Sequence, residues 1–236
     1  MKNKLSNFIL FSSAFFLGLA AFVVLIVLAW PGSKAILFRE DGIIETASAA
    51  AYAIAAILGL TAIYRGALTG RSHPERISFI AIPVLGTICF LDEISFGARL
   101  FDLSMPPLSG GGEFDGAHDL FIVLHRLILT MDSATRLFIY TVAGLPVLTL
   151  LYLKRSWIYS HLLWFAQDSV RRCLGSALGL LAIAVFLDIL HGRLISSLEE
   201  FTELSAALFL AAAGFRSLSI LPTASASSHS MEPNSP

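Results

Sequence analysis

The sequence predicts an all-α, polytopic transmembrane helical bundle of six spans plus one interfacial or re-entrant helix. Three observations predict it. Hydrophobic residues make up 56% of the 236 residues, charged residues only 14%, and mean hydropathy is +0.77, well above a soluble domain's usual apolar content. The apolar residues come in blocks near the roughly 20 residues that a helix needs to cross a bilayer. Fourteen of the 17 acidic residues then fall on one predicted side of the membrane. Carboxylates near hydrocarbon are costly, so that asymmetry calls for an explanation.

The first block follows Lys2 and Lys4 and runs over residues 8–30. It is longer than a signal-peptide core and shows no clear small-x-small cleavage site, so it reads as an uncleaved span. Residues 42–64 form the second span and 77–91, extendable to 101, the third. The stretch 102–116, DLSMPPLSGGGEFDG, is stiffened by Pro106 and Pro107 and loosened by Gly110–Gly112. It reads as a linker or as a lid over an outer-face site. Residues 117–131 are apolar but short, and carry His118, Asp119, His125 and Arg126. Leu120, Phe121, Leu124, Leu127, Ile128 and Met131 share one face of a helix there, as suits an interfacial or re-entrant element. A seventh span at this place is the alternative. Residues 135–153, 173–190 and 198–215 complete the six. Residues 1–216 therefore read as one membrane domain and 217–236, rich in Ser, Pro and Ala, as a disordered cytoplasmic tail.

Lys and Arg favour the cytoplasmic side. With both termini inside, ten of the basic residues lie inside and six outside. The basic loops 65–76 and 154–172, with one acid each, carry most of that bias. A multi-pass protein of the bacterial inner membrane, with cytoplasmic N- and C-termini, is the expectation. The net charge of −1 implies no nucleic-acid partner. Cys89 and Cys173 fall near opposite faces, too far apart for a disulfide, and no zinc or redox cysteine spacing occurs. Gly59, Gly144, Gly175 and Gly179 would permit close helix approach.

The outer-face acids divide by position. Glu40 and Asp41 sit around the start of the second span, and Ser196-x-x-Glu199 and Ser197-x-x-Glu200 read as capping boxes for the sixth. Helix dipole and capping suffice for these. Glu45 and Glu203 lie a turn deeper, where a polar network or a site must account for them. Asp92, Glu93 and Asp188 fall near helix C-termini, where the dipole opposes negative charge, so an arginine, a metal or a raised pKa must compensate. Arg99, seven residues after Asp92 with Ser95 between, is the natural partner. Asp188-x-x-His191 sets two metal-ligand types on one helix face, and His118 and His125 share another. His118, His125, Asp188 and His191 are therefore the candidate ligands for a divalent metal such as zinc. Asp92, Glu93, Arg99 and Glu203 are the candidate catalytic groups. H-E-x-x-H, G-x-S-x-G, Walker and G-x-G-x-x-G motifs are absent.

The stretch Asp92-Glu93-Ile94-Ser95-x-Gly97-x-Arg99-x-Phe101, followed by residues 113–118, resembles a motif of a family of bacterial polytopic membrane proteins with no named activity. There an acidic pair, Ser, Gly and Arg precede a polar, histidine-bearing stretch. The resemblance covers about thirty residues and implies an inner-membrane location. The seven-span metal-dependent hydrolases related to alkaline ceramidases offer a more distant analogy, since their Ser-x-x-x-His and His-x-x-x-His helix pairs are absent from the apolar segments here.

Three function classes follow. The first is a metal-dependent or acid–base hydrolase of lipid or lipid-linked substrates in the bilayer. The second is a binding or assembly protein, with a membrane-protein partner, whose Asp, Glu and Arg groups form structural networks. The third is a cation- or proton-coupled transporter, which the absence of a charged residue at mid-depth in any span disfavours.

Overall fold

The computed structural model describes residues 2–30, 32, 37, 42–97, 101, 107, 119–189 and 193–220. Among them lie eight α-helices: α1 (Lys2–Ala29), α2 (Ile43–Tyr64), α3 (His73–Glu93), α4 (Asp119–Leu129), α5 (Ser133–Leu153), α6 (Arg155–Phe165), α7 (Ser169–Ile189) and α8 (Arg193–Ser219). A short 3₁₀ turn, Ser95–Gly97, follows α3. The all-α bundle read from the sequence is the architecture observed.

Five helices, α2, α3, α5, α7 and α8, are long and apolar enough to cross a membrane. They coincide with five of the six expected spans. The sixth, α1, carries the apolar stretch Leu10–Ile26. Helix α4 has 11 described residues, roughly 16 Å of rise, about half of what a span needs. The outward surface is densely apolar, with Leu137, Phe138 and Leu153 of α5 each about two-thirds exposed. Such a surface suits lipid and would be a liability in water.

The core lies where α2 and α8 meet, with α3 against α2 and α7 against α8. The reason is residue size. Helix α2 presents Ser48, Ala49, Ala51, Ala55, Ala56, Gly59 and Ala62 to its neighbours, and small residues let helix backbones close in on each other. A Cβ added at Gly59 would stand 2.7 Å from Cδ of Pro83 on α3, and one at Gly86 2.8 Å from the Ala56 backbone nitrogen. A Cβ at Gly214 of α8 would stand 3.0 Å from Cβ of Leu58. Gly175 is crowded by the Phe165 ring of α6. Gly144 and Gly179, by contrast, face open space, so the expectation of close helix approach fails at both. Three buried hydroxyls stay within their own helices. Ser48 donates to the Ile44 carbonyl, Thr202 to Leu198 and Ser205 to Phe201, which satisfies them where no water competes.

Helix α1 leans on α8 and α7 through rings and one polar contact. Phe11 and Phe15 pack on Phe209, Phe16 packs on Phe201, and Ser12 bonds Ser176 at 2.6 Å. Helix α5 buries no residue. Helix α6 lies within the segment 154–172 that the sequence suggested as a loop. Its basic start, Lys154–Arg155, looked like loop, but Trp157, Ile158, Leu162 and Phe165 recur at helical spacing. Helix α8 continues to Ser219, past the tail boundary expected after residue 216, because Ser217 is fully buried and donates to the Gly214 carbonyl. Residues 221–236 of the expected tail lie outside the described residues.

At one end of the bundle Arg171 of α7 ties α3 to the α6–α7 connection. Its guanidinium meets Glu75 at 3.2 Å and Asp168 at 2.8 Å, donates to Gln167 at 2.5 Å, and covers the Trp164 ring. Glu75 also closes a capping box with Ser72 at the start of α3. This is the basic end, and it sets the register of α3 against α7. Asp188 is 17 residues beyond Arg171 in α7, about 25 Å along the helix, so it belongs to the opposite, acidic end.

Candidate functional site

The acidic end is assembled from the C-termini of α3 and α7 and the N-terminal halves of α2 and α8. Asp92 and Glu93 are the last two residues of α3. The chain then turns sharply, with Ser95 at φ 49° and Phe96 at φ 52°. A left-handed conformation is strained for a residue as bulky as Phe. Ser95 is buried and Phe96 exposed. This turn corrects one expectation: the helix of the third span stops at Glu93, short of the extension that the sequence allowed. Arg99 itself, with His118 and His191, lies outside the described residues.

Tyr52 of α2 is the centre of the site. It is 2% exposed, and its hydroxyl donates to the backbone carbonyl of Glu203 on α8 at 3.2 Å. The charges of Glu203, Glu93 and Asp92 act on the Tyr52 hydroxyl and likewise on the Cys89 thiol of α3. Three of the four expected catalytic residues therefore lie within electrostatic reach of one phenol and one thiol. Sequence reasoning missed both groups, because Cys89 lies about one turn and Tyr52 more than two turns inside an apolar span. Each of Asp92, Glu93 and Glu203 also engages other groups.

Two capping assignments change. Glu45 sits in the first turn of α2, after Gly42 as N-cap, so the helix dipole favours it. Glu199 and Glu200 do not cap α8, because that helix begins at Arg193 and holds Ser196 and Ser197 inside it. Instead Glu200 lies within electrostatic reach of Glu45 across the α2–α8 interface. Its Oε2 is buried without a hydrogen-bond partner among the described residues.

Of the expected metal ligands, His125 and Asp188 are described. Helix α4, which carries His125, packs on α7, which carries Asp188. Nδ1 of His125 is buried with no hydrogen-bond partner among the described residues, and one carboxylate oxygen of Asp188 is buried as well. Among the described residues, no three His, Cys, Asp or Glu side chains come together as a metal-holding group. Cys89 and Cys173 are both free, one at each end of the bundle.

The arrangement gathers negative charge where protein shields it from water. Chemically it suits a cation, a proton passed between carboxyl groups, or the polar part of a molecule lying in the bilayer. No family model, curated protein or solved structure matches this chain.

Proposed function

We propose that this chain is a multi-pass protein of the bacterial inner membrane whose acidic end hydrolyses a lipid or lipid-linked substrate. The observation that carries the reading is the Tyr52 hydroxyl, bonded to the Glu203 backbone of α8 and within electrostatic reach, like the Cys89 thiol, of Asp92, Glu93 and Glu203. Carboxylates set against a buried phenol are the groups that general acid–base chemistry uses. A divalent metal such as zinc, held by His125 and Asp188 with His118 and His191, would polarise a carbonyl or phosphoryl oxygen and lower the pKa of bound water. The buried, unsatisfied Nδ1 of His125 supports a ligand there. The motif around Asp92–Arg99 supports the inner-membrane location.

The test is a hydrolysis assay on the detergent-purified protein, using short-chain phospholipid and fatty-acyl ester substrates with and without added zinc. Glu203→Gln and Asp92→Asn are expected to lose turnover while retaining helical circular dichroism and near-parental melting. Activity that survives both changes would refute the reading.

A second reading has its own support. Glu45, Asp92, Glu93, Asp188 and Glu203 all engage other groups, as members of a helix-joining polar network would. On that reading Asp92→Asn lowers the melting temperature by several degrees and no substrate is turned over.

A further inference from the structure

At the basic end, the described carboxylates are Glu75 and Asp168, and Arg171 takes both. Glu75 also accepts from the backbone nitrogen and hydroxyl of Ser72. The scaffold thus uses the negative charge of this end internally. Among the described residues the other cations there form no ion pair. Arg65, Arg76, Lys154, Arg155 and Arg216 are exposed. Arg172 and Arg216 lie close enough together to act on the same Cys173 thiol. The net result is a positive rim around one end of an apolar bundle.

Helix α6 lies on that rim. It follows directly from α5 through Lys154, and it is too short to span. It buries no residue. It is nevertheless aromatic, with Trp157 58% and Tyr159 45% exposed. Arg155 lies over the Tyr152 ring at 4.7 Å, and Trp157 stacks on His161 with ring centroids 3.9 Å apart. Trp and Tyr settle where one end of the ring is apolar and the other wet, which is the headgroup layer of a bilayer. Basic side chains beside such a helix reach anionic headgroups while their stems lie along the acyl chains.

We propose that α6 with Lys154, Arg155 and Arg172 forms an interfacial platform for anionic phospholipid headgroups of the adjoining leaflet. Charge complementarity names the occupant. The rim is cationic, its own carboxylates are taken, and its aromatic helix is the shape of an interfacial element. This inference rests on the basic end alone and stands independently of any chemistry at the acidic end.

The test uses tryptophan fluorescence. The chain has three tryptophans, Trp30, Trp157 and Trp164. Full-length Trp30→Phe protein therefore reports only from α6. It is reconstituted in phosphatidylcholine vesicles with a minor fraction of phosphatidylglycerol, and one lipid or the other carries brominated acyl chains. At equal mole fraction, brominated phosphatidylglycerol is expected to quench several-fold more strongly than brominated phosphatidylcholine. High salt should shrink that excess, and the Lys154→Gln/Arg155→Gln/Arg172→Gln variant should bring the two lipids close to equal quenching. Equal quenching by the two lipids in the parent protein would overturn the proposal without recourse to any variant, and would point to an acidic protein partner instead. An anionic excess that survives both high salt and the triple variant would overturn it too.

Discussion

The guanidinium of Arg171 on α7 lies 3.2 Å from the carboxylate of Glu75 on α3, across 96 residues of sequence. Arg171 is buried, whereas the side chains of Glu75 and Asp168 are 34% and 40% exposed. Solvent therefore discounts each ion pair, but the buried guanidinium still depends on both. Arg171→Ala is expected to destabilise the protein by about 2 kcal/mol in detergent thermal denaturation. Arg171→Lys should recover only part of this, because a point charge cannot reproduce the planar fork. Equal stability of parent and alanine variant would show that the strut contributes nothing.

Glycine positions give a contrast that is independent of charge. At Gly59 and Gly86 an added Cβ meets backbone or a proline ring. Gly59→Val and Gly86→Val should each cost about 1–3 kcal/mol through overpacking. Gly144→Val and Gly179→Val meet open space and should leave stability near the parent's. Melting temperatures of the four variants in one detergent check the pattern.

Tyr52→Phe removes one interhelical hydrogen bond and leaves the ring in place. The expected loss is small, about 0.6 kcal/mol for a bond between membrane helices. If the acidic end works chemically, activity should fall by far more than that figure accounts for. Matched losses of activity and stability would place Tyr52 in packing alone.

Asp132 offers a pH test outside the spans. It caps α5, accepting from the backbone nitrogens of Ala134 and Thr135 and from the Thr135 hydroxyl. The Thr135 hydroxyl, then its backbone N–H, hold the Asp132 carboxyl below the usual value. A depressed folded-state pKa means that the contribution is complete above the unfolded carboxyl's pKa and is lost as pH falls through the folded one. Amide hydrogen exchange at Thr135, corrected for intrinsic rate, should therefore lose protection on acidification. Asp132→Asn, which also caps helices but does not titrate, should keep a flat profile.

The sequence and the structure agree where a single physical demand dominates. Hydrocarbon requires long apolar helices, so five spans were legible from run length alone. The lone acids of the two basic loops, Glu75 and Asp168, were visible as exceptions. Their shared partner was not, because the α3–α7 contact comes only from folding. Glu200 was hidden by Ser196 and Ser197, which imitate caps locally although α8 starts earlier, at Arg193. Cys89 and Tyr52 were hidden because a thiol and a phenol within apolar runs look like core. Helix α6 was missed for the opposite reason, since its flanking charges outweighed its aromatic periodicity. The gathering of Asp92, Glu93 and Glu203 at one end followed in outline from topology, while the left-handed turn at Ser95–Phe96, which follows the end of α3, was not legible in the residue pattern.

The sharpest test of the proposed site is elemental analysis of the detergent-purified protein beside its His125→Ala/Asp188→Ala variant. Close to one equivalent of zinc, iron or manganese per chain is expected in the parent, and its loss is expected in a variant that remains folded. An absence of metal from both proteins, with the variant melting well below the parent, would refute the metal site and leave the acidic end as a structural network.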